Sequence, residues 1–397
     1  MRLLLLEWPS ITNSDVEEAL NRLGISYDRL VVETEKGEIE REKVLSAMDI
    51  AFRNPGYDAV FSINYYRVAA EGCYRAGIPY LAWTYDSPVR ETWRNNLYYD
   101  TNWVFFYDAA ECSFLKRRGE GSHLYHLPLA VNTRRYDSVY LSKREREKYG
   151  SEISFVGQLY NNMIFYLLSE LPDYEKEYLT ALMDVQLETY GIDVIRSSLT
   201  EEFRKKLAIP ELMKAIDSDY RYQEDLGHEY PTEERLWIEL QRNVSCYERL
   251  MVLELLGRYF PLKFYSFQKQ ETLKNVEYMG PVDTYDGMPL VFKASKINLN
   301  ITSRTMVSAI PQRCLDIMAA GGFLLTNYQS EMSELFPEGT CAIYECPEDA
   351  LEKARYYLSH ESERLHIARA GHQLVKEFFT YEDRIKTILE TAGLWKK

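Results

Sequence analysis

Arg313 and Asp316 stand three residues apart in I-P-Q-R-C-L-D-I-M-A-A-G-G-F, a spacing that puts a guanidinium and a carboxylate on one face of a helix. Pro311 suits the first turn of that helix, and Gly321-Gly322 supplies a left-handed residue to close it. A cation in the first turn opposes the positive end of the helix dipole unless an anion compensates it. Backbone N–H groups at the helix start, with Arg313 and with Arg304 from the preceding loop, would make a phosphate pocket, and Asp316 could accept both hydroxyls of a ribose. The same spacing also suits a plain ion pair on a solvated helix, worth about 0.2–0.5 kcal/mol. A second group of candidates lies early in the chain. Asp86, in W-T-Y-D-S-P, could take a proton from an attacking hydroxyl, while Trp8, Trp83 and Tyr85 offer rings to a sugar face and Asn64 a polar contact. An Asp before Ser-Pro equally suits a turn, and buried aromatics equally suit a core.

These residues need elements to hold them. Ile297, Leu299 and Ile301 alternate with Asn298 and Asn300, which predicts a strand ending near Thr302, and Phe323 to Thr326 predicts another. Earlier, Arg2 to Glu7, Tyr27 to Val32, Ala59 to Ile63, Pro79 to Trp83, Trp103 to Tyr107 and Leu124 to Leu127 read as strands alternating with helices, so the first domain is α/β with a parallel sheet. Ser14 with Glu17 predicts a capping box on the first helix. Ligands in such sheets collect at the carboxyl ends of strands, where Trp8, Asn64, Trp83, Tyr85 and Asp86 fall. Glu152 to Val156 opens a second half, with Gly157 just after it. From about Asn161 to Leu256 the pattern is helical, and Asp217-Ser218-Asp219 within it lacks the rigid strand end that a metal-binding D-x-D needs. No metal site is expected.

At 397 residues the chain has room for two domains, and 46% apolar with 27% charged residues is a globular balance. A net charge of −14 argues against nucleic acid as a partner, although a pocket of one or two arginines is compatible with it. The six cysteines show no metal-binding spacing and are expected as free thiols. No apolar run is long enough for a signal peptide or a membrane span, so a cytoplasmic protein is expected.

The run R-C-L-D-I-M-A-A-G-G-F-L-L-T-N-Y-Q-S-E-M, preceded by L-N-I-T and followed by F-T-Y-E-D-R-I-K-T-I-L, resembles the carboxyl-terminal domain of the CgeB-like spore-maturation glycosyltransferases. Y-D-A-V-F-S-I-N, A-W-T-Y-D-S-P and H-L-P-L-A-V-N resemble their amino-terminal domain. The resemblance implies a GT-B fold: two Rossmann-like domains facing a cleft, a helical insertion in the second, and a carboxyl-terminal helix crossing back to the first. The implied limits are 1–134 for the acceptor domain, 135–150 for a linker, 151–379 for the nucleotide-sugar domain with its insertion at about 160–256, and 380–397 for the last helix. It further implies a metal-independent transferase, without cofactor, that moves a hexose-type sugar from a nucleoside diphosphate donor, UDP foremost, to a hydroxyl of a glycan, protein or small-molecule acceptor. Gly157, Thr302, Arg304, Arg313, Asp316 and Gly321 would bind the donor, Trp8, Asn64, Trp83 and Tyr85 the acceptor, and Asp86 would be the base of an inverting reaction. Distant retaining members of the fold carry a glutamate eight positions before the ribose-binding acid. Ser308 stands there in this chain, so a retaining outcome is not implied. A nucleotide-sugar epimerase, and a non-catalytic scaffold for spore-coat or surface-glycan assembly, are the other two expectations.

Overall fold

The computed structural model describes residues 1–32, 40–53, 56–89, 94, 96–160, 168–169, 171–200, 203 and 232–395. They form two compact units, one taking in Met1–Leu129 and Tyr381–Lys397, the other Ala130–Leu212 and Leu236–Thr380.

The first unit is built on six parallel strands, β1 Arg2–Glu7, β2 Ser26–Val31, β3 Ala59–Ile63, β4 Tyr80–Trp83, β5 Asn102–Phe106 and β6 Leu124–His126. They are ordered β2-β1-β3-β4-β5-β6. Leu3 to Leu6 are all buried, as expected for a central strand covered on both faces. The helix after β1 runs Asn13–Arg22 with Thr12 at its N-cap and no side-chain cap bond, so the Ser14/Glu17 capping box does not form. Asn13 donates to the Trp8 carbonyl at 2.8 Å and Ser10 meets Thr12 at 2.8 Å, which tightens the loop and starts the helix before Ser14. The helix Tyr381–Thr391 belongs to this unit. Tyr381 lies edge-on to Trp83, and Arg384 donates to the Pro128 carbonyl at 2.9 Å.

The second unit has β7 Ile153–Val156, β8 Leu262–Tyr265, β9 Glu277–Gly280, β10 Ile297–Asn300, β11 Leu324–Asn327 and β12 Ala342–Tyr344, all parallel and ordered β12-β11-β10-β7-β8-β9. The strands alternate apolar and polar as read from the sequence, but the polar side does not face water. Asn298 accepts from Ser154 and Asn300 donates to Thr302 and Thr326, all buried. Short helices, Thr133–Asp137 and Lys143–Tyr149, occupy most of the stretch expected as a linker, the second with a Ser142/Glu145 capping box. The expected helical insertion contains Asp173–Glu188, Val194–Ser198 and Thr232–Gly257, while Asp217-Ser218-Asp219 lies outside the described residues.

The 26-residue helix Thr232–Gly257 links the core of this unit to the ends of its strands. Val252, Leu253 and Leu256 seat it on the sheet with Ile153, Leu262 and Ile297. Three to four residues per turn carry the same face back through Arg249, Ser245 and Gln241, also buried. The apolar part of the face covers the sheet, and its polar part reaches beyond the strand ends.

All six cysteines are free. No helix among the described residues is long and apolar enough to cross a membrane.

Candidate functional site

In the second sheet the chain lays β7, β8 and β9 outward in one direction, then returns to place β10 on the other side of β7. The carboxyl ends of β7 and β10 therefore diverge, and such a switch point opens a crevice where ligands bind in α/β sheets. A cavity of about 330 Å³ lies there. Gly157 and Gln158 after β7, Ile301 to Ser303 after β10, and Ser266 and Phe267 after β8 line it, with Pro311 and Arg313 at the start of the next helix.

That helix spans Gln312–Ala319 with Pro311 as N-cap and no side-chain cap bond. Its first amides are thus not taken by a capping side chain and can serve an anion. Arg313 is partly exposed, packs on the Met288 sulfur and lies 5.6 Å over the Phe292 ring. Its Nη1 is 4.0 Å from Asp316 Oδ2, too long for a hydrogen bond. Asp316 Oδ1 accepts from Tyr136 at 2.8 Å and from Gln312 at 3.0 Å, which fixes the carboxylate. Burial first, and the neighbouring Asp316 second, raise the Tyr136 phenol well above its ordinary value, so it stays a donor.

Of the six residues expected at the donor, Gly157, Thr302 and Arg313 line the cavity. Asp316 is one turn behind Arg313 and does not itself line it. Arg304 is turned elsewhere. The residue is 7% exposed, and its guanidinium donates to Glu248 at 2.7 Å and to the Thr189 and Leu187 carbonyls at 2.8 and 3.2 Å, and stacks on Tyr190 at 3.8 Å. Those bonds tie the insertion to the strand end and commit the charge, so sequence adjacency to β10 misleads about its direction. Gly321 also falls away from the cavity. It follows the far end of the helix from Arg313 and adopts φ 72°, where it closes the helix as a left-handed residue.

The first sheet has its own switch point, between β1 and β3, and the expected acceptor residues Trp8 and Asn64 come directly after those two strands. Asn64, at φ 63°, donates to Asp86 Oδ2 at 2.6 Å and accepts from the amides of Tyr85 and Asp86 at 2.6 and 3.0 Å. Asn64 thereby makes three hydrogen bonds to the loop bearing the exposed Asp86. Trp8 is buried, with its ring stacked on Tyr66 at 3.7 Å. Trp83 is fully buried, donates to the Leu127 carbonyl at 3.2 Å and touches Tyr85 and Tyr381, so its ring is core and is not available to an acceptor. Below the loop, Glu111 accepts from Ser87 at 2.7 Å and from the Val89 amide at 2.6 Å. Burial, only partly offset by Ser87 and Arg94, raises this carboxyl from 4.5 to about 7.

Sequence reasoning missed Arg249, Tyr160 and Phe267, which also line the cavity. Arg249 was legible in principle as a charge on the apolar stripe of a long helix, in register with Val252, Leu253 and Leu256.

None of the curated proteins matches the chain. Residues 240–390 match a family described as Glycosyl transferase-like. Among solved structures the chain is similar to a sucrose-phosphate synthase from Thermosynechococcus elongatus, with a TM-score of 0.55 at 11% identity over 99% of this chain and 98% of that one. It is similar to T4 phage BGT in complex with its UDP-glucose substrate, with a TM-score of 0.52 at 10% identity over 98% and 100%. Anabaena HepE in complex with UDP-glucose gives 0.50 at 12% identity over the full length of both. At such identities the likeness is one of fold.

Proposed function

Because the chain has the GT-B fold of glycosyltransferases and its residues 240–390 match a glycosyl transferase-like family, we propose that it transfers a hexose from a nucleoside diphosphate donor to an acceptor hydroxyl, with the donor held by the second unit. The observation that carries this reading is the cavity at the β7/β10 switch point, into which Arg313 and a helix start without a side-chain cap both contribute. Breaking the bond between the anomeric carbon and the diphosphate leaves negative charge on the leaving oxygen. Arg313 and the helix amides neutralise it in this scheme, which requires no metal. Tyr136 and Gln312 hold Asp316 Oδ1, which leaves Oδ2, one turn behind Arg313 and outside the cavity lining, as the acceptor we assign to the ribose. The UDP-glucose complexes of T4 phage BGT and Anabaena HepE support a uridine nucleotide. In the first unit Asp86, exposed and oriented by Asn64, is the residue we assign as base for an inverting reaction.

Calorimetric titration with UDP, UDP-glucose and other nucleoside diphosphates tests the reading. Saturable binding is expected, weakened about 10- to 100-fold by Arg313→Gln, the worth of a hydrogen bond to a charged group. Asp86→Asn should leave UDP affinity unchanged and lower transfer about 100-fold or more. Absence of binding by any nucleoside diphosphate would leave the scaffold reading, and release of an epimerised sugar without acceptor would replace transfer by epimerisation.

A further inference from the structure

Two guanidiniums meet the carboxyl end of β10, and the protein treats them differently. Arg304 and Arg249 are each 7% exposed. Arg304 is paired with Glu248 at 2.7 Å. Arg249, the next residue along the helix, pairs with no carboxylate among the described residues. Its Nε and Nη2 donate to the Ile301 carbonyl at 3.1 and 2.5 Å, and its Nη1 donates to the Gln158 carbonyl. Its guanidinium lies 4.5 Å from the ring centre of Tyr160 and 5.6 Å from that of Phe155. Carbonyls and rings offer partial charge only, whereas a buried cation requires a full counter-charge to be well compensated.

The side chain also bridges the switch point itself, since Gln158 lies just past β7 and Ile301 just past β10, and it lines the cavity between them. Its positive field is felt next door. Burial opposes ionisation of the Tyr160 phenol, yet Arg249 and a hydrogen bond with Ser303 outweigh it and hold the phenol below its ordinary value. Tyr160 keeps φ at 60°, a backbone region unfavourable to its side chain, with its ring against this guanidinium.

Resting on the donor-site reading, we infer that Arg249 is a second diphosphate-binding residue, supplying from the long helix the cation that Arg304 does not. Arg313 and Arg249 then grip the diphosphate from two elements, the one at a helix start and the other spanning two strand ends. Bidentate geometry suits a guanidinium better than an ammonium here, because the same group must hold two carbonyls and an anion.

The test is calorimetric titration of the full chain and of Arg249→Gln and Arg249→Lys with inorganic pyrophosphate, UDP and uridine at two salt concentrations. Arg249→Gln should weaken pyrophosphate and UDP about 10- to 100-fold, leave uridine unchanged, and flatten the salt dependence of UDP binding. Arg249→Lys, which keeps the charge, should recover part of the pyrophosphate affinity. Pyrophosphate binding as in the parent by a folded Arg249→Gln protein would overturn the inference while leaving the donor site standing. Equal losses for uridine and UDP in Arg249→Lys would assign the residue a purely structural clamp and overturn it too. If the parent binds neither UDP nor pyrophosphate, the donor-site reading itself falls, and this inference with it.

Discussion

The two sheets reverse their strand order in the same way and furnish the reversal differently. Between β1 and β3 the first sheet places aromatic carbon: Trp8 stacked on Tyr66, with Asn64 pinning the Asp86 loop. Between β7 and β10 the second sheet places a guanidinium and leaves a cavity of about 330 Å³. Strand order reverses at both points, and side-chain choice decides whether the place is packed or left open as a cavity. The first arrangement is held by stacked rings and short hydrogen bonds, and should depend little on salt. The second concentrates positive charge in a chain of net charge −14, so its affinity for an anion should fall as salt rises.

The largest effect expected from this contrast is on stability without binding. Trp8→Ala should cost about 3–5 kcal/mol in urea unfolding, the range for emptying a buried aromatic site, and leave UDP affinity within twofold. A parallel loss of UDP affinity would show that the packing of the first switch point is not separable from the donor site.

A comparable cost is expected inside the second unit where a polar residue is scaffold. Arg304→Met strands Glu248 without its buried partner, and should cost about 3–5 kcal/mol while affecting UDP binding, measured well below the melting temperature, less than Arg313→Gln does. If Arg304→Met removed UDP binding from a protein that remained folded, the division between scaffold and ligand arginines would fail.

Those arginines also mark the limit of what was legible in the chain. Apolar runs and period-two alternation located the strands to within about a residue or two, because burial on a sheet depends on local pattern. Ala59–Ile63 keeps its expected limits, and Ile297–Asn300 ends two residues before the expected Thr302. Side-chain direction at strand ends is not local. Arg304 looked like a phosphate ligand because it comes just after β10, but it is turned by Glu248, 56 residues away in the chain. The place of Arg249 beside the cavity was not legible because Gln158 and Ile301, the groups it spans, are 91 and 52 residues from it. The place of Arg313 beside the cavity was readable, since a helix start is encoded within a few residues. The Ser14/Glu17 motif was misread for the converse reason: the Trp8 carbonyl and the Ser10–Thr12 contact, outside the motif, fix where the helix begins.

A smaller effect separates the units by pH. Glu111, buried beneath the Asp86 loop, has its carboxyl raised from 4.5 to about 7 by burial. The folded state binds this proton more tightly than the unfolded chain. Its contribution to stability is therefore fully present below pH 4.5 and is lost as the pH climbs to about 7. The loss should be about 1–3 kcal/mol, and Glu111→Gln should abolish that part of the slope. An unchanged slope in the variant would assign the pH dependence to other groups.

The smallest expected effect compares the backbone at the two switch points. Asn64 after β3 and Tyr160 after β7 are the two non-glycine residues with positive φ among the described residues, at 63° and 60°. Asparagine tolerates this region through its short polar side chain, whereas a tyrosine there must be held by its surroundings. Arg249 over the Tyr160 ring can supply about 0.5–2 kcal/mol of that hold. Replacing Asn64 by alanine or glycine removes the same three hydrogen bonds to Tyr85 and Asp86, so the two variants differ only in backbone freedom. Glycine should be the more stable by about 1 kcal/mol, and the same order should hold for Tyr160→Gly against Tyr160→Ala. Urea unfolding resolves such a difference. Alanine equal to glycine at position 64 would mean that the Asp86 loop relaxes once its asparagine is gone, and the first switch point would then owe its shape to that side chain rather than to the turn of its backbone.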